Sequence, residues 1–347
     1  MKEKLLGKTL EELRQAAAEC GLKPFVGNQL AGWMYGKKVH SFDEMTNIGK
    51  DARAALAARF DLGTAAPVGS ALSSDGTSKY LFPVCCEHAG VWENSAVEAV
   101  VIPDQDRRTL CVSSQAGCRM GCRFCMTGRQ GWHGNLSAAD ILNQFISIPE
   151  AGELTGTVFM DMGEPLDNYG AVSRAIEVLT APWGFGWSPK RVTVSTIGLL
   201  PNLRTLLDGQ RCHIAVSLHN PFPEERLSIM PVQKAWPLKD VIALLRRYDF
   251  SGQRRVSFEY TMFAGFNDDK RHADALCHLL RGLECRVNLI RFHKIPDFPY
   301  DCATDFAMQQ FRDRLNNNGL ICTIRTSRGE DILAACGMLA GQHSQRS

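Results

Sequence analysis

The stretch Cys111–Gly131 reads CVSSQAGCRMGCRFCMTGRQG. Within it Cys118, Cys122 and Cys125 stand in a C-x3-C-x2-C spacing, on a Gly- and Arg-rich loop that follows a short apolar strand, Leu110–Ser114. Three thiolates this close on one loop can wrap a single metal centre. A closed zinc site wants four protein ligands, commonly from two such pairs. No second pair follows, although His133 could be a fourth ligand. A cubane iron–sulfur cluster takes one ligand per iron, so three cysteines leave one iron open. S-adenosylmethionine can chelate such an iron through its amino and carboxylate groups. Phe124, between the last two thiols, would shield a cluster from water, which zinc does not need.

After residue 75 the pattern alternates. Candidate strands are Val97–Ile102, Leu110–Ser114, Gly156–Met160, Val192–Ser195, His213–Leu218, Val256–Met262, Val287–Arg291 and Cys322–Thr326. Candidate helices are Ala138–Ser147, Tyr169–Leu179, Leu238–Arg247, Lys270–Arg281 and Thr304–Asn317. Strands separated by helices of this length form βαβ units on a parallel sheet. The number of units after residue 110 predicts an α/β fold, a partial (β/α)6 TIM-like barrel, with a doubly wound open sheet as the alternative. Polar strand ends, Ser195-Thr196 and Ser217-Leu218-His219, put a site at the carboxyl ends of the strands.

Upstream, Leu10–Cys20, Gln29–Tyr35 and Asp51–Phe60 read as helices. Thr9 is the expected cap of the first, with Glu12 three residues on to complete a capping box. Residues 61–75 are small, polar and Gly/Pro-containing, and read as a linker or exposed loop. The expected organisation is a small N-terminal helical accessory domain over 1–60, a linker and N-terminal extension over 61–96, and the barrel over 97–347.

The 347 residues hold 39 Lys plus Arg against 37 Asp plus Glu, a net charge of +2, and are 45% hydrophobic. This composition excludes a disordered, collagen-like or acidic-tail protein. No apolar run approaches the roughly 18 residues of a membrane span. The N-terminus, MKEKLLGKTLEELRQ, reads as neither a secretory nor a mitochondrial leader. Thirteen cysteines, an odd number, fit thiols in a reducing, cytoplasmic setting rather than a disulfide framework. Near-neutral charge argues against blanket coating of nucleic acid and leaves room for a local basic cleft.

The cysteine spacing resembles the signature of the radical S-adenosylmethionine superfamily. The chain resembles more than that signature. CVSSQAGC, FCMTG, MGEPL (Met162–Leu166), VTVSTIG (Val192–Gly198), VSLH (Val216–His219), VNLIRFHKIP (Val287–Pro296) and RGEDILAACG (Arg328–Gly337) are similar, in this order, to the family of dual-specificity ribosomal and transfer RNA adenine-C2 methyltransferases. Residues 23–47 resemble that family's helical accessory domain.

The resemblance implies a role for each matching residue. Cys118, Cys122 and Cys125 would hold one [4Fe-4S] cluster per chain. Gly163, Glu164, Ser195, Ser217, Leu218, His219 and His293 would bind S-adenosylmethionine, two molecules being consumed per turnover. Leu218, between two polar residues, would contribute through its backbone. Adenine C2 is not nucleophilic, so the methyl would first be placed on Cys336. Glu98 would act as base for the C2 proton. Cys111 would attack the Cys336 sulfur, giving a transient disulfide that an external reductant resets. The other eight cysteines read as core or incidental. The chain departs from the family at His293, where Asn is usual, at Asp161, where Gly is usual, and at Gly134, where Arg is frequent.

The implied partners are 23S rRNA, tRNA and an electron donor, with no membrane and a monomeric chain. Arg119, Arg123, Arg129, Arg286, Arg291, Lys294, Arg325 and Arg328, with the Lys37–Arg59 region, offer phosphate contacts. Methylation of adenine C8, another radical modification of RNA, and a zinc-containing RNA-binding module are the alternatives.

Overall fold

The structure is a computed structural model and describes residues 2–334 apart from Ala89, Gln253 and the side chain of His88. After β1 (Glu3–Lys4), Thr9 caps α1 (Leu10–Glu19). The Thr9 hydroxyl accepts the Glu12 N–H at 3.2 Å and the Glu12 carboxylate accepts the Thr9 N–H at 2.7 Å. This is the reciprocal pair that the spacing predicts. α2 (Phe25–Ala31) crosses α1 so closely that a Cβ on Gly27 would lie 2.5 Å from the Arg14 nitrogen. It continues into one π-helical turn, Gly32–Lys37, so the second helix begins at Phe25 rather than Gln29. Pro24 precedes it with φ −55°, already helical. α3 (Lys50–Arg59) leads into β2 (Phe60–Asp61), which pairs with β1 and joins the two ends of this unit.

β3 (Gly69–Leu72), β4 (Ser78–His88), β5 (Val91–Asp104) and β6 (Arg107–Cys111) form an antiparallel meander. Part of the expected linker and extension is therefore sheet. The Gly-Ser-Ala-Leu strand lacks a strand signature in its side chains and is held by its ladder to β4. β7 (Gln115–Gly117) and β8 (Trp132–Asn135) pair on either side of the cysteine loop, with α4 (Met126–Arg129) between them. The repeating part then runs α5 (Ala138–Ile146), β9 (Gly156–Phe159), α6 (Tyr169–Thr180), β10 (Val192–Thr196), α7 (Leu200–Gly209), β11 (His213–Ser217), α8 (Pro223–Ile229), α9 (Leu238–Leu245), β12 (Val256–Met262), α10 (Lys270–Leu280), β13 (Arg286–Arg291), α11 (Asp305–Asn317) and β14 (Cys322–Ile324).

The main sheet has the order β14-β13-β12-β11-β10-β9-β6-β5-β4-β3. From β6 to β14 every pairing is parallel. β14 and β3 are its edges, so it is a partial barrel with an antiparallel extension. Among the described residues no helix is long and apolar enough to cross a membrane.

Register decides what each face carries. Lys79 pairs with Val100, Val100 with Cys111, and Cys111 with Val158. Val158 pairs with Thr193, Ser195 with Ala215, and Ser217 with Glu259. Paired residues point to the same side and residues two apart share it. One face therefore presents Lys79, Glu98, Cys111, Ser195, Ser217 and Glu259. The other presents Val192, Val194, Ile214, Val216, Phe258 and Leu289, all buried. The apolar face makes the core, and the polar face supplies a site.

Candidate active site

At the carboxyl ends of β9 to β13 a cavity is lined by Cys118, Cys122, Cys125, Gly163, Glu164, Ser195, Ser217 and His219. Residues far apart in sequence thus share one wall, at the strand ends where parallel sheets place ligands.

The cysteine loop is built by backbone. Gly117, at φ +72°, passes so close to Gly131 that a Cβ would lie 2.0 Å from its carbonyl oxygen. The Cys118 N–H donates to that oxygen at 2.8 Å, and the Arg123 N–H ties the loop to Ile229 at 2.9 Å. Phe124 packs on the His219 ring at 4.8 Å and on Phe263 at 5.5 Å, forming an apolar wall. Burial pushes the Cys118 thiol up to about 12 and raises Cys122 and Cys125 as well. Among the described residues no three His, Cys, Asp or Glu side chains already stand as a ready-made metal-holding set. The donor set fits a soft iron–sulfur centre: three thiols on one dry wall, beside an apolar ring. Sequence gave no sign that Arg226 would be buried beneath them. Its guanidinium binds the Leu218 and Ser217 carbonyls, each at 3.0 Å, and its charge favours the Cys122 thiolate.

Gly163 has φ +100°, and a Cβ there would lie 2.6 Å from the Gln115 Cβ. The next residue, Glu164, is buried. Its carboxylate accepts the Thr196 hydroxyl at 2.6 Å, the Ile197 N–H at 2.9 Å and the Leu166 N–H at 3.0 Å. Burial nevertheless lifts it to about 7. A bound ammonium would return it to the ionised form. His219 sits at φ +56°, and its Nδ1 accepts the Thr261 N–H at 3.0 Å. Burial lowers it to about 3, so the ring is neutral with its proton on Nε2.

Two expected cofactor residues stand off the cavity wall. Leu218 is buried, its N–H donates to Glu259, and its carbonyl accepts both Asn220 N–H and Arg226 Nε. Its backbone is occupied by the protein itself. His293 follows β13 and lies 3.1 Å from the Ser327 hydroxyl, while its neighbour Phe292 lines the cavity.

Further along the polar face, Glu98 on β5 and Cys111 on β6 are diagonal neighbours, through the Val100–Cys111 pair. Both are buried. Glu98 Oε1 lies 3.6 Å from Lys79 Nζ, and burial raises the acid to about 7 against the pull of that lysine. Asp161 adds a second buried carboxylate. Neither of its oxygens makes a well-formed hydrogen bond. The Met162 N–H and the Ser113 hydroxyl stand near enough to pull the Asp161 pKa down somewhat, but their well-formed bonds go to Ser113 Oγ at 3.1 Å and to the Glu98 carbonyl at 2.6 Å. Burial first, then the Glu98 charge, raises Asp161 well above the usual carboxylate range. Cys336 lies outside the described residues, among which no disulfide is present.

The basic groups prove largely paired. Arg119 meets Asp167 at 2.8 Å and lies over Trp132, Arg129 meets Asp297, Arg291 meets Asp305 and Arg59 meets Glu19. Lys294 pairs with Asp301, and Arg325 lies 3.4 Å from Glu259, a buried acid of the cavity wall. Arg123 is exposed and lines, with Gly121, Gly128 and Arg129, a separate depression.

Comparison with known proteins gives a concordant picture. The family model described as "Radical SAM superfamily" matches residues 112–276, and that described as "Ribosomal RNA large subunit methyltransferase N-terminal domain" matches residues 3–62. The chain is 56% identical over 343 residues to a probable dual-specificity RNA methyltransferase RlmN of Porphyromonas gingivalis, covering 99% of this chain and 98% of that one. It is 38% identical to the dual-specificity RNA methyltransferase RlmN of Syntrophus aciditrophicus, covering 96% and 95%. A crystal structure of a radical SAM methyltransferase from Sphaerobacter thermophilus superposes with a TM-score of 0.90 at 37% identity, covering 98% of this chain and all of that one.

Proposed function

We propose, because the chain belongs to the RlmN family of dual-specificity RNA methyltransferases within the radical SAM superfamily, that it methylates C2 of an unstacked adenosine in 23S rRNA and in tRNA. Cys118, Cys122 and Cys125 hold one [4Fe-4S] cluster. Gly163, Glu164, Ser195, Ser217 and His219 surround S-adenosylmethionine. Leu218 holds Ser217 and His219 in place, and His293 turns from Ser327 to the ribose. When bound, the cluster supplies the electron that cleaves the cofactor's C–S bond and so provides a hydrogen-abstracting radical, two cofactor molecules being used per turnover.

The protein's residues do the rest. Glu98, with a pKa of about 7, is part-ionised at neutral pH and takes the C2 proton, and Lys79 steadies the anion. Cys336 would carry the carbon to be transferred as a thioether; that carbon, one hydrogen atom poorer, bonds to C2, the C2 hydrogen leaves as the proton that Glu98 takes, and the odd electron left on the ring would return to the bound cluster. The Cys111 thiolate attacks the Cys336 sulfur, the S–S bond forms and the sulfur–carbon bond breaks. The released electron pair takes a proton to complete the methyl group, and an external reductant resets the disulfide. The reading carries with it a cytoplasmic, monomeric enzyme.

What supports it above all is that Glu98, Cys111, Ser195 and Ser217 share one face of a sheet whose strand ends form the cysteine-lined cavity. The test is product analysis by mass spectrometry and NMR after reaction with ribosomal and transfer RNA. A methyl on adenine C2 is expected. A methyl on C8, or a colourless zinc protein, overturns the reading.

A further inference from the structure

The turn between β3 and β4 reaches across to the other end of the described chain. Asp75 Oδ2 accepts the Gly329 N–H at 3.0 Å while Oδ1 accepts the Thr77 N–H at 2.9 Å. In return, Asp331 accepts the Ser73 hydroxyl at 2.5 Å and the Ser74 N–H at 3.0 Å. Each carboxylate thus binds the other segment's backbone. The fit is tight: Gly329 has φ +63°, and a Cβ there would lie 2.8 Å from Ala334 Cβ and 3.0 Å from Thr77 Cγ2. The Ala334 N–H returns to the Gly329 carbonyl at 2.8 Å, closing residues 329–334 into a loop. Lys79, just after the turn, lies 3.5 Å from the Leu333 carbonyl and 3.6 Å from Glu98. Cys336 follows Ala334 by two residues in the sequence.

We infer that the Ser73–Thr77 turn positions the root of the thiol-bearing C-terminal segment, with Asp75 and Asp331 clamping residues 329–334 beside Lys79. This rests on the reading of Cys336 as the methyl carrier. Ordering six residues costs backbone entropy. Hydrogen bonds accepted by ionised carboxylates are the strong ones that offset it. The two aspartates bind the backbone of the two segments rather than any reacting group, so they are positioning residues.

The test uses full-length Asp75→Asn and Asp331→Asn. Gly329→Ala, which inserts a methyl into the same contact, is an independent third variant. Hydrogen–deuterium exchange over residues 326–340 should quicken at least tenfold, with residues 112–130 unchanged. RNA methylation should lose at least fivefold in kcat, with KM for RNA within twofold. Unchanged exchange over 326–340 overturns the clamp, whatever the RNA chemistry. Quickened exchange with wild-type kcat overturns the positioning role. A wild-type chain that never carries a methyl on Cys336 overturns the reading beneath it, and the exchange data keep that failure distinct.

Discussion

Lys79 and Glu98 stand on neighbouring strands with Nζ 3.6 Å from Oε1, both turned to the polar face of the sheet. The lysine lowers the acid's affinity for its proton, while burial raises it and prevails. Lys79→Gln should therefore push Glu98 further up. A base works only when ionised, so the acidic limb of the methylation pH profile should move to higher pH, by about one pH unit. A pH–rate series on RNA checks this, and a limb that stays in place would remove Glu98 from the role of base.

Asp161 carries a buried carboxylate with no well-formed hydrogen bond. Its pKa in the folded chain lies well above its unfolded value, so the folded state holds the proton more tightly. Stability from this group is present in acid and is lost as pH rises. Asp161→Asn removes that dependence. Denaturant titrations at pH 5 and pH 8 should show the wild type losing more stability between them than the variant, by about 1–3 kcal/mol. Equal losses would mean that the carboxylate finds a partner in solution.

Gly163 combines φ +100° with a Cβ position 2.6 Å from the Gln115 Cβ. Gln115 cannot readily yield, because its side chain holds Asn135, Asp167 and the Glu164 N–H, each within 2.9 Å. Gly163→Ala should cost about 2 kcal/mol or more of stability and displace Glu164. Thermal unfolding with and without S-adenosylmethionine measures both effects. An unchanged melting temperature would contradict the close packing.

Periodicity and turn chemistry made most of the framework legible before any coordinates. The Thr9–Glu12 box and the eight candidate strands lie where the pattern puts them, seven of them to within a few residues, while β5 begins six residues before Val97. α7 and α8 were not foreseen: α8 has only seven residues, and in both the first-turn proline, Pro201 or Pro223, is a helix-start signal that also reads as a break. The cysteine loop and the polar strand ends were legible because spacing and strand position carry that information. The burial of Arg226 and Asp161 was not, since charged residues are usually exposed and nothing local marks an exception. Nor could the sequence reveal that Leu218 spends its backbone on Arg226, Asn220 and Glu259, because those partners arrive through tertiary folding. The task of Asp75 was hidden in the same way, its partner lying at the opposite end of the chain.

The most direct measurement is the iron content and visible spectrum of an oxygen-free preparation, with and without S-adenosylmethionine. The account predicts a brown protein with about four irons per chain, a spectrum that shifts when the cofactor binds, and loss of both in Cys122→Ala. An iron-free wild type, or a cluster whose spectrum ignores the cofactor, would contradict it.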